Sequence, residues 1–381
     1  MNILHVYRTY YPDSVGGLEQ SITQLCMGTK VMGVSNRVIA LSPSPSPKIV
    51  RHNGIPVVRS RSFLTLQSCD IGFMAAFGQF KKLSEWADVI HYHFPWPFAD
   101  ALQLFVNPPK PKVLTYHSDI VNKGLLGLGY KFFIPNMMKN MDAIVATSEQ
   151  YKESSEILNS LPIQCKNNVQ VIPLGINECS YVVPRSLAKD VDIFEQYGLE
   201  ENSYFLFVGK ERKYKSVEYL LKAAVATGLN VVFVGELEKK SLVTSYSCKY
   251  SNIHQVGLVS DTTKIALLEG CRAFVLPSSM RSEAYGMVLV EASMVGKPMI
   301  TCDINTGTSF INQNNLTGFV VPPNSETELG LAMERLINND SLANQMGRAA
   351  RLRYEGCLAG NIMAQRYFEL YRNVINSHES N

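Results

Sequence analysis

The sequence predicts an α/β protein with two domains, each built on a doubly wound, Rossmann-like parallel sheet. The chain has 381 residues, which is too many for one ordinary hydrophobic core and fits two domains of about 150–200 residues each. Short β-branched segments alternate with helical patterns, and this alternation indicates parallel strands joined by crossover helices. The alternation stops at a polar stretch over residues 177–202 and then resumes, so we expect a connector between two domains.

The expected strands form two series. In the first series they lie at residues 3–7, 37–41, 56–59, 88–93, 112–117, 143–148 and 169–174. In the second series they lie at residues 204–209, 230–235, 253–257, 273–278, 298–303 and 318–321. These patterns predict a first domain at 1–178, a connector at 179–202, a second domain at 203–358 and a final helical segment at 359–381.

Composition and charge exclude several classes of protein. Hydrophobic residues make up 46% of the chain and the formal net charge is only +3, so the concentrated basic surface of a nucleic-acid-binding protein is not expected. The eight cysteines include no C-x-x-C pair and no histidines at zinc spacing, which argues against a disulfide framework and a structural metal. The amino terminus lacks the basic region of a signal peptide, and no apolar stretch approaches the ~20 residues of a membrane span. We therefore expect reduced thiols in a cytoplasm and peripheral membrane contact at most.

Two carboxylates bracket a small-residue turn after the expected strand at 273–278. They are Glu283 and Glu291, the ends of the segment Glu-Ala-Tyr-Gly-Met-Val-Leu-Val-Glu. A loop that leaves the carboxyl end of a parallel strand and opens a helix brings N–H groups into the crevice where α/β sheets bind ligands. Carboxylates accept hydrogen bonds from sugar or ribose hydroxyls, and the N–H groups suit phosphate oxygens. The alternative is a helix whose early glutamate only complements the helix dipole.

Glycines and cations follow the first strand of each series. Gly16 and Gly17 open the first helix, where a glycine pair lets the backbone approach a phosphate. A plain tight turn is the alternative for this pair. Lys210, Arg212 and Lys215 follow the first strand of the second series, where cations would neutralise a diphosphate. A lysine-rich surface loop is the alternative there.

Histidines line two expected strands of the first domain. His117 ends the strand at 112–117, and a structural hydrogen bond to a neighbouring carbonyl is the alternative to a role in ligand binding. His91 and His93 alternate along one strand and share a face, but the sequence shows no third metal ligand near them. No metal site is therefore predicted.

Five ordered motifs together resemble glycosyltransferase family 4, the retaining enzymes with the GT-B fold. They are Gly-Gly-Leu-Glu at 16–19, His-Ser-Asp at 117–119, Val-Ile-Pro-Leu-Gly-Ile-Asn at 171–177, the Val-Gly-Lys loop at 208–215 and the glutamates at 283 and 291. More narrowly, the segments at 7–13 and 306–309 resemble bacterial O-antigen mannosyltransferases, which use GDP-mannose or, in close relatives, GDP-D-rhamnose. The resemblance implies an N-terminal acceptor-side domain and a C-terminal nucleotide-sugar-binding domain that face each other across a cleft. It also implies a final helix that packs back on the N-terminal domain.

The resemblance implies a role for each candidate side chain of the cationic loop. Lys210 and Lys215 would hold the donor diphosphate with help from Arg212, while His117 would contact the transferred sugar. Lys210 stands where most members carry arginine, and a lysine cannot form a bidentate fork, so Arg212 is expected to compensate. Ser216 stands where most members carry glycine.

The remaining candidate residues would bind the donor through carboxylates and backbone N–H groups. Glu283 would bind sugar hydroxyls, and Glu291 would bind the ribose hydroxyls. The backbone N–H groups near the sugar and the phosphates would be those of Gly16, Gly17, Ala284, Tyr285, Gly286, Met287, Val288 and Leu289. The family's retaining reaction implies same-face attack with the departing diphosphate as base, so no protein nucleophile, cofactor or metal is expected. Because both domains contribute residues, domain closure is expected.

The implied partners are a nucleotide-sugar donor and a lipid-diphosphate-linked saccharide acceptor, at the cytoplasmic face of a bacterial inner membrane. Residues 123–139 would form either a basic, apolar membrane surface or a core-packed helix interrupted by Pro135. The residues leave open a UDP-sugar or GDP-D-rhamnose donor, sugar-nucleotide epimerisation and a non-catalytic binding subunit. A nicotinamide oxidoreductase is disfavoured, because G-x-G-x-x-G follows the first strand of neither series.

Overall fold

The computed structural model describes residues 1–66, 69–72, 74–120, 134–181, 193–236 and 241–380. The chain forms two compact units: unit 1 comprises residues 1–175 and 360–381, and unit 2 comprises residues 176–359. Of the expected connector at 179–202, residues 182–192 lie outside the described ranges.

Unit 1 alternates strands with helices. Its strands are β1 (Asn2–Val6), β2 (Ser35–Ser42), β3 (Ile49–His52), β4 (Ile55–Leu66), β5 (Cys69–Gly72), β6 (Val89–Phe94), β7 (Lys112–Tyr116), β8 (Ala143–Ala146) and β9 (Val169–Val171). The helices before residue 175 are α1 (Gly17–Lys30), α2 (Met74–Trp86), α3 (Pro97–Val106), α4 (Ile134–Lys139), α5 (Glu149–Ser154), α6 (Glu156–Asn159) and α7 (Ile163–Asn167).

The described strands of unit 1 form one sheet in the order β3-β4-β2-β1-β6-β7-β8-β9, with β5 attached to β4. The pairs β3–β4 and β4–β5 are antiparallel, and the other pairs are parallel. The sequence did not predict β3 or β5, because four-residue strands carry little periodic signal. From β1 the chain moves to β2 on one side and later returns to β6 on the other. This makes β1 the topological switch point, where α/β sheets bind ligands.

Unit 2 repeats the architecture with parallel strands throughout. Its strands are β10 (Tyr204–Val208), β11 (Asn230–Val234), β12 (Ile253–Gly257), β13 (Ala273–Leu276), β14 (Met299–Cys302) and β15 (Gly318–Val321). Its helices are α8 (Ile193–Tyr197), α9 (Val217–Thr227), α10 (Leu242–Ser247), α11 (Asp261–Gly270), α12 (Met287–Met294), α13 (Gly307–Ile311), α14 (Glu326–Ile337) and α15 (Asp340–Arg353). The strand order β12-β11-β10-β13-β14-β15 makes β10 the switch point.

The central strands are buried on both faces, as parallel sheets covered by helices require. Every residue of β6 and of β13 is buried. In unit 2 this burial involves apolar side chains, but β6 buries His91 and His93 in the core of unit 1. Buried polar side chains need hydrogen-bond partners, so the interior of unit 1 contains a polar network.

The last helix, α16 (Gly360–Glu379), belongs to unit 1 and packs against α1. Its buried Tyr367 hydroxyl lies 2.7 Å from Thr115 Oγ1, and its Tyr371 hydroxyl lies 2.7 Å from His91 Nδ1. Polar contacts therefore hold this helix against β6 and β7. Among the helices in the described ranges, none has the combination of length and apolar composition that would cross a membrane.

Two glycines bring the ends of β10 and β11 close together. Gly209 and Gly235 follow these strands with φ angles of 149° and 148°, a region that favours glycine. Gly209 N donates to Val234 O at 2.8 Å. A Cβ atom on Gly235 would lie 2.2 Å from the Gly209 carbonyl oxygen. The loop after β10 therefore starts from a tightly held backbone.

We predict that Gly235→Ala destabilises the protein by more than the roughly 1–3 kcal/mol that an unfavourable φ alone costs, because the new methyl group overlaps the Gly209 carbonyl. Gly228→Ala is the matched control, since Gly228 has a φ of 70° but nothing within 4 Å of the added Cβ. Urea unfolding followed by circular dichroism measures both losses. Equal losses would contradict the close packing.

Candidate functional site

The loops after β10 and β13 leave the same edge of the unit 2 sheet, because these strands are parallel neighbours. The first loop carries Lys215 and the second carries Glu283, and Lys215 Nζ lies 2.8 Å from Glu283 Oε2. Ser278 Oγ donates to the same carboxylate oxygen at 3.1 Å. The backbones are joined as well, since Ser279 N donates to Tyr214 O at 3.0 Å. The structure thus brings together two of the residues that the sequence analysis selected.

The Lys215–Glu283 ion pair is largely buried, and each side chain retains 12% of its exposure. Burial lowers the pKa of the Lys215 ammonium, but the charge of Glu283 and the proximity of Tyr214 outweigh it, so the pKa ends above its usual value. The ammonium also lies 5.5 Å from the centre of the Tyr214 ring, within cation–π range. A fixed positive charge therefore lies at the switch point of the sheet, where it suits an anionic ligand.

The other two candidate cations remain exposed. Lys210 pairs with Glu236, which follows β11, and both side chains keep 54% of their exposure. The hydrogen bond from Lys210 lowers the pKa of the Glu236 carboxyl. Arg212 is exposed as well. An exposed ion pair contributes little to stability, so the pair with Glu236 holds Lys210 only weakly. Lys210 and Arg212 therefore lack the buried, fixed position that Lys215 has.

The turn before α12 is held by the loop that follows β14. Gly286 is the N-cap residue just before the helix and has a φ of 87°, a conformation that favours glycine. Thr306 Oγ1 donates to the Glu283 carbonyl at 2.8 Å, and Gly307 N donates to the Ala284 carbonyl at 2.9 Å. In the sequence, the segment at 306–309 stands out only through its resemblance to O-antigen mannosyltransferases. In the structure it positions the backbone of the candidate site.

Around the first turn of α12, one of the candidate N–H groups is already engaged by the protein. Tyr285 and Met287 are buried, and Val288 is half-buried. The Leu289 N–H already donates to the Gly286 carbonyl at 2.8 Å. A phosphate oxygen at Leu289 would have to share that hydrogen bond.

Glu291 lies deep in unit 2, where only 1% of the residue is exposed. Its Oε1 accepts hydrogen bonds from the Tyr181 hydroxyl at 2.8 Å and from Lys264 Nζ at 3.1 Å. Burial lowers the pKa of Lys264, but the charges of Glu291 and Asp261 outweigh it and the pKa ends raised. The Lys264 ammonium therefore stays charged in the folded protein.

Lys264 and Tyr181 were not among the residues predicted from the sequence. One signal could have found Lys264: Ser260 follows β12 and caps α11, so the first turn of that helix lies at the ligand-binding edge of the sheet. Tyr181 ends a short 3₁₀ helix, Glu178–Tyr181, in the polar stretch, and no pattern in the sequence marks it.

In unit 1, Gly16 precedes α1 at the switch point and Gly17 is the first residue of that helix. The φ of Gly16 is −166°, which any residue can adopt. Space is what restricts this position, because an added Cβ would lie 2.8 Å from Glu19 Oε2. Ser14 Oγ donates to Glu19 Oε1 at 2.6 Å. The Glu19 carboxylate therefore folds back over the loop that carries the glycine pair.

An anchor that the sequence analysis missed holds the same loop. Arg59, on β4, donates to both carboxylate oxygens of Asp13 at 2.8 and 2.7 Å. Its guanidinium also donates to Ser42 Oγ and to the carbonyls of Ser44 and Pro47. Arg59 is 5% exposed, and this full set of acceptors accounts for its burial. The segment at 7–13 is thereby fixed to the sheet.

His117 lies just beyond β7 and is 6% exposed. Its Nε2 is 3.0 Å from His93 Nδ1, and His93 Nε2 is 3.1 Å from His5 Nδ1. Burial lowers the pKa of His117 to about 3 and that of His5 to about 4. Burial also holds the pKa of His93 well below its usual value. These rings are therefore neutral at physiological pH.

The sequence showed no third metal ligand near His91 and His93, but the structure places another histidine beside them. His5 joins them, and one ring nitrogen of each lies within 4.8 Å of the others. A metal would have to displace existing hydrogen bonds, however. His5 binds Asn36 and His93, and His91 binds Thr115 on Nε2. This cluster is a hydrogen-bonded network with the spacing of a metal site.

Two further sequence segments have structural roles in unit 1. Asp119 of the His-Ser-Asp motif accepts hydrogen bonds from the hydroxyls of Tyr116 at 2.8 Å and Ser155 at 2.6 Å. Of residues 123–139, for which a basic, apolar surface and a core-packed helix were the alternatives, residues 123–133 lie outside the described ranges. Met137 and Met138, in α4, are buried. These two methionines therefore contribute to the core of unit 1.

We predict that Lys215→Met lowers the free energy of unfolding by about 3–5 kcal/mol, because it leaves Glu283 buried without its cation. The double variant Lys215→Met/Glu283→Gln should recover most of that loss, since no buried charge remains. Lys222→Met, at an exposed position of α9, is the control and should stay within about 0.5 kcal/mol of wild type. Guanidinium unfolding compares the four proteins. A double variant no more stable than Lys215→Met would show that the ion pair is not the cause.

We predict that the buried histidines make the protein sensitive to acid. Their folded pKa values lie below the ordinary value of about 6.5, so their contribution to stability is complete above pH 6.5 and is lost as the pH falls. Each such histidine adds a slope of at most about 1.4 kcal/mol per pH unit. His117→Asn should therefore flatten the curve of unfolding free energy against pH, measured from pH 7.5 to 4, by about that amount. Parallel curves for variant and wild type would contradict a buried, neutral His117.

Comparison with known proteins gives matches over both units. The family described as "Glycosyltransferase Family 4" matches residues 15–178, and the family described as "Glycosyl transferases group 1" matches residues 190–353. The chain is 39% identical to the D-rhamnosyltransferase WbpZ of Pseudomonas aeruginosa over 93% of its own length and 91% of that protein. It is 36% identical to the O-antigen chain mannosyltransferase C of Escherichia coli over 99% of its own length and 100% of that protein.

Solved structures share the fold. A sucrose-phosphate synthase from Thermosynechococcus elongatus aligns with a TM-score of 0.77 at 19% identity, over 99% of both chains. Anabaena HepE in complex with UDP-glucose aligns with a TM-score of 0.76 at 15% identity, over 98% of this chain and 100% of that one. Together with the two parallel-sheet units and the full-length relatives, these matches show that the chain belongs to glycosyltransferase family 4, as a hexosyltransferase with the GT-B fold.

Proposed function

We propose that this chain transfers mannose from GDP-mannose to a polyprenyl-diphosphate-linked saccharide in O-antigen assembly, with retention of the anomeric configuration. One observation carries the proposal: the 36% identity to O-antigen chain mannosyltransferase C extends over 99% of this chain and the whole of that protein. A likeness that runs end to end includes the donor-side and the acceptor-side sequences together.

A second candidate is the same reaction with GDP-D-rhamnose. The chain is 39% identical to a D-rhamnosyltransferase over 93% of its length. D-Rhamnose is mannose without the 6-hydroxyl, so the two donors share the nucleotide and differ in one hydroxyl group. A site that hydrogen-bonds this hydroxyl would discriminate strongly between them, whereas an apolar pocket would not.

Lys215 is the residue best suited to the donor diphosphate. Its ammonium is charged and held by Glu283 at 2.8 Å at the switch point of the unit 2 sheet. A positioned cation stabilises the negative charge that develops on a departing diphosphate, and it needs no rearrangement during the reaction. The exposed Lys210 and Arg212 add positive charge to the same loop and would contact the diphosphate when donor binds.

Glu283 combines two tasks in this proposal. In the described ranges, its bonds from Lys215 and Ser278 both use Oε2. Its Oε1 can therefore accept a hydrogen bond from a sugar hydroxyl while Oε2 holds the lysine. Glu291, held by Lys264 and Tyr181, would bind the ribose hydroxyls.

The proposed chemistry needs neither a protein nucleophile nor a metal. The acceptor hydroxyl attacks the anomeric carbon from the face that the diphosphate leaves, and the departing diphosphate takes the hydroxyl proton. Lys215 offsets the charge that a divalent cation would otherwise offset. His117, neutral because burial holds its pKa at about 3, would contact a sugar hydroxyl without donating a proton to the reaction. A lipid-linked acceptor would bring the enzyme to the cytoplasmic face of the inner membrane.

The donor is tested by thermal stabilisation and by transfer to a synthetic polyprenyl-diphosphate-linked saccharide. The panel contains GDP-mannose, GDP-D-rhamnose, UDP-glucose and UDP-N-acetylglucosamine, each with and without chelator. We expect stabilisation and transfer with GDP-mannose, unchanged by chelator. Activity with GDP-D-rhamnose alone would establish the second candidate, and UDP-sugar activity alone would refute both. Donor turnover without acceptor would indicate an epimerase, and no response to any nucleotide would indicate a binding subunit.

The role of Lys215 is tested in the same assay with variants whose folding is measured in parallel. Lys215→Met/Glu283→Gln removes the cation without leaving a buried charge, and we expect it to fold and to lose roughly 100- to 1,000-fold in turnover. Lys222→Met is the matched control and should transfer at the wild-type rate. Near-normal turnover by the folded double variant would remove Lys215 and Glu283 from the site.

A further inference from the structure

A chain of hydrogen bonds runs from Asn36 to His117 through two other buried histidines. Asn36 Oδ1 lies 3.1 Å from His5 Nε2, His5 Nδ1 lies 3.1 Å from His93 Nε2, and His93 Nδ1 lies 3.0 Å from His117 Nε2. We propose that this series of hydrogen bonds fixes the tautomer of His117. In that tautomer Nδ1 carries a lone pair and accepts a hydrogen bond from a hydroxyl of the bound sugar. The sugar contact rests on the proposed function, but the tautomer does not.

The direction of donation along the hydrogen-bond series is determined at its first member, because the side-chain amide of Asn36 has only one possible orientation. Its Nδ2 lies 3.1 Å from the Cys26 carbonyl oxygen and 3.1 Å from Thr29 Oγ1. A carbonyl oxygen can only accept, so the amide nitrogen must face Cys26. The Thr29 hydroxyl donates a hydrogen bond to the Leu25 carbonyl at 2.9 Å, and its oxygen accepts one from Asn36 Nδ2. The side-chain oxygen of Asn36 is therefore the atom that faces His5.

From that point each ring determines the next. Because Asn36 Oδ1 is an acceptor, His5 Nε2 must carry the hydrogen. A neutral imidazole has one N–H, so His5 Nδ1 is an acceptor and His93 Nε2 must donate to it. By the same step His93 Nδ1 accepts from His117 Nε2. His117 is then the Nε2–H tautomer, and its Nδ1 has a lone pair.

Each of the three rings must be neutral for this direction to hold, and their burial keeps them neutral. His5 is 0% exposed, His93 is 2% exposed and His117 is 6% exposed, and an additional proton on any of them would place a charge in the interior. Reversing the direction would set the His5 lone pair against the Asn36 carbonyl oxygen, which is a contact between two acceptors.

The consequence is a selective contact at His117. Among the described residues, nothing forms a hydrogen bond with its Nδ1. A lone pair there attracts a ligand O–H and repels acceptors that lack a hydrogen, such as phosphate oxygens. Asn36, His5 and His93 are thus positioning residues that act through His117, and they distinguish a sugar hydroxyl from the diphosphate.

His91 supplies a control, because it is buried beside the hydrogen-bond series from Asn36 to His117 but is not a member of it. Its Nδ1 lies 2.7 Å from the Tyr371 hydroxyl, and its Nε2 lies 2.7 Å from Thr115 Oγ1. Removing the Tyr371 hydroxyl therefore disturbs a buried histidine in the same core without interrupting the path from Asn36 to His117.

The test is long-range ¹H–¹⁵N NMR of the full chain with ¹⁵N-labelled histidine rings, since the protonated and bare ring nitrogens have well-separated chemical shifts. The His117 signals are assigned as those missing from His117→Gln. We expect the Nε2–H pattern for His5, His93 and His117 in the wild-type protein. An Nδ1–H pattern for His117 would overturn the proposal.

Asn36→Ala removes the acceptor at the start of the hydrogen-bond series. We therefore expect the His117 signals to shift toward a mixture of tautomers. Tyr371→Phe should leave them unchanged. Unaltered His117 signals in folded Asn36→Ala, or equal changes in both variants, would show that Asn36 does not set the tautomer.

The ligand contact is tested by adding saturating GDP-mannose, with and without acceptor, to the labelled wild-type protein. We expect the His117 Nδ1 resonance to move toward the protonated range when the sugar hydroxyl donates to it. A donor that stabilises the protein but leaves this resonance in place would overturn the contact. Failure of the donor to bind at all would refute the proposed function and would leave the tautomer measurement intact.

Discussion

The parallel arrangement of the strands is the constraint on which the functional edges of both units depend. Crossover connections bring the carboxyl ends of parallel strands to one edge, and the strand orders make β1 and β10 the switch points of their sheets. Lys215 and Glu283 are 68 residues apart, yet they meet because β10 and β13 are neighbours in that sheet. The order of the strands in the sheet therefore brings the two residues of this candidate site together.

The two units bury polar groups at these edges in different ways. Unit 2 uses ion pairs, Lys215 with Glu283 and Lys264 with Glu291, in which each charge offsets the desolvation of the other. Unit 1 also buries the Arg59–Asp13 ion pair, but the ring nitrogens of His5, His93 and His117 are joined by hydrogen bonds between neutral groups. The first arrangement holds a cation in a fixed position. The second presents an uncharged ring whose hydrogen-bonding direction is set at the far end of a network.

Much of the fold and part of the candidate site could be predicted from the sequence. The strands that begin each switch point, the loop with Lys215, and the Glu283–Glu291 segment follow from local periodicity and from the residues just after each strand. Other features could not be predicted. The short strands β3 and β5 carry too few residues for a periodic signal. The Arg59 anchor of Asp13 spans 46 residues, and nothing local marks either partner.

The sequence by itself determined the fold class, the alternation of strands and helices, and the candidate residues at the ends of strands, because these depend on neighbours within a few positions along the chain. Only the tertiary structure decided which candidates are held in place. It selected Lys215 over Lys210 by giving it a buried partner, engaged the Leu289 N–H within its own helix turn, and joined His5 to His93 and His117. Such choices depend on sheet register and on burial, and both arise only when distant segments pack together.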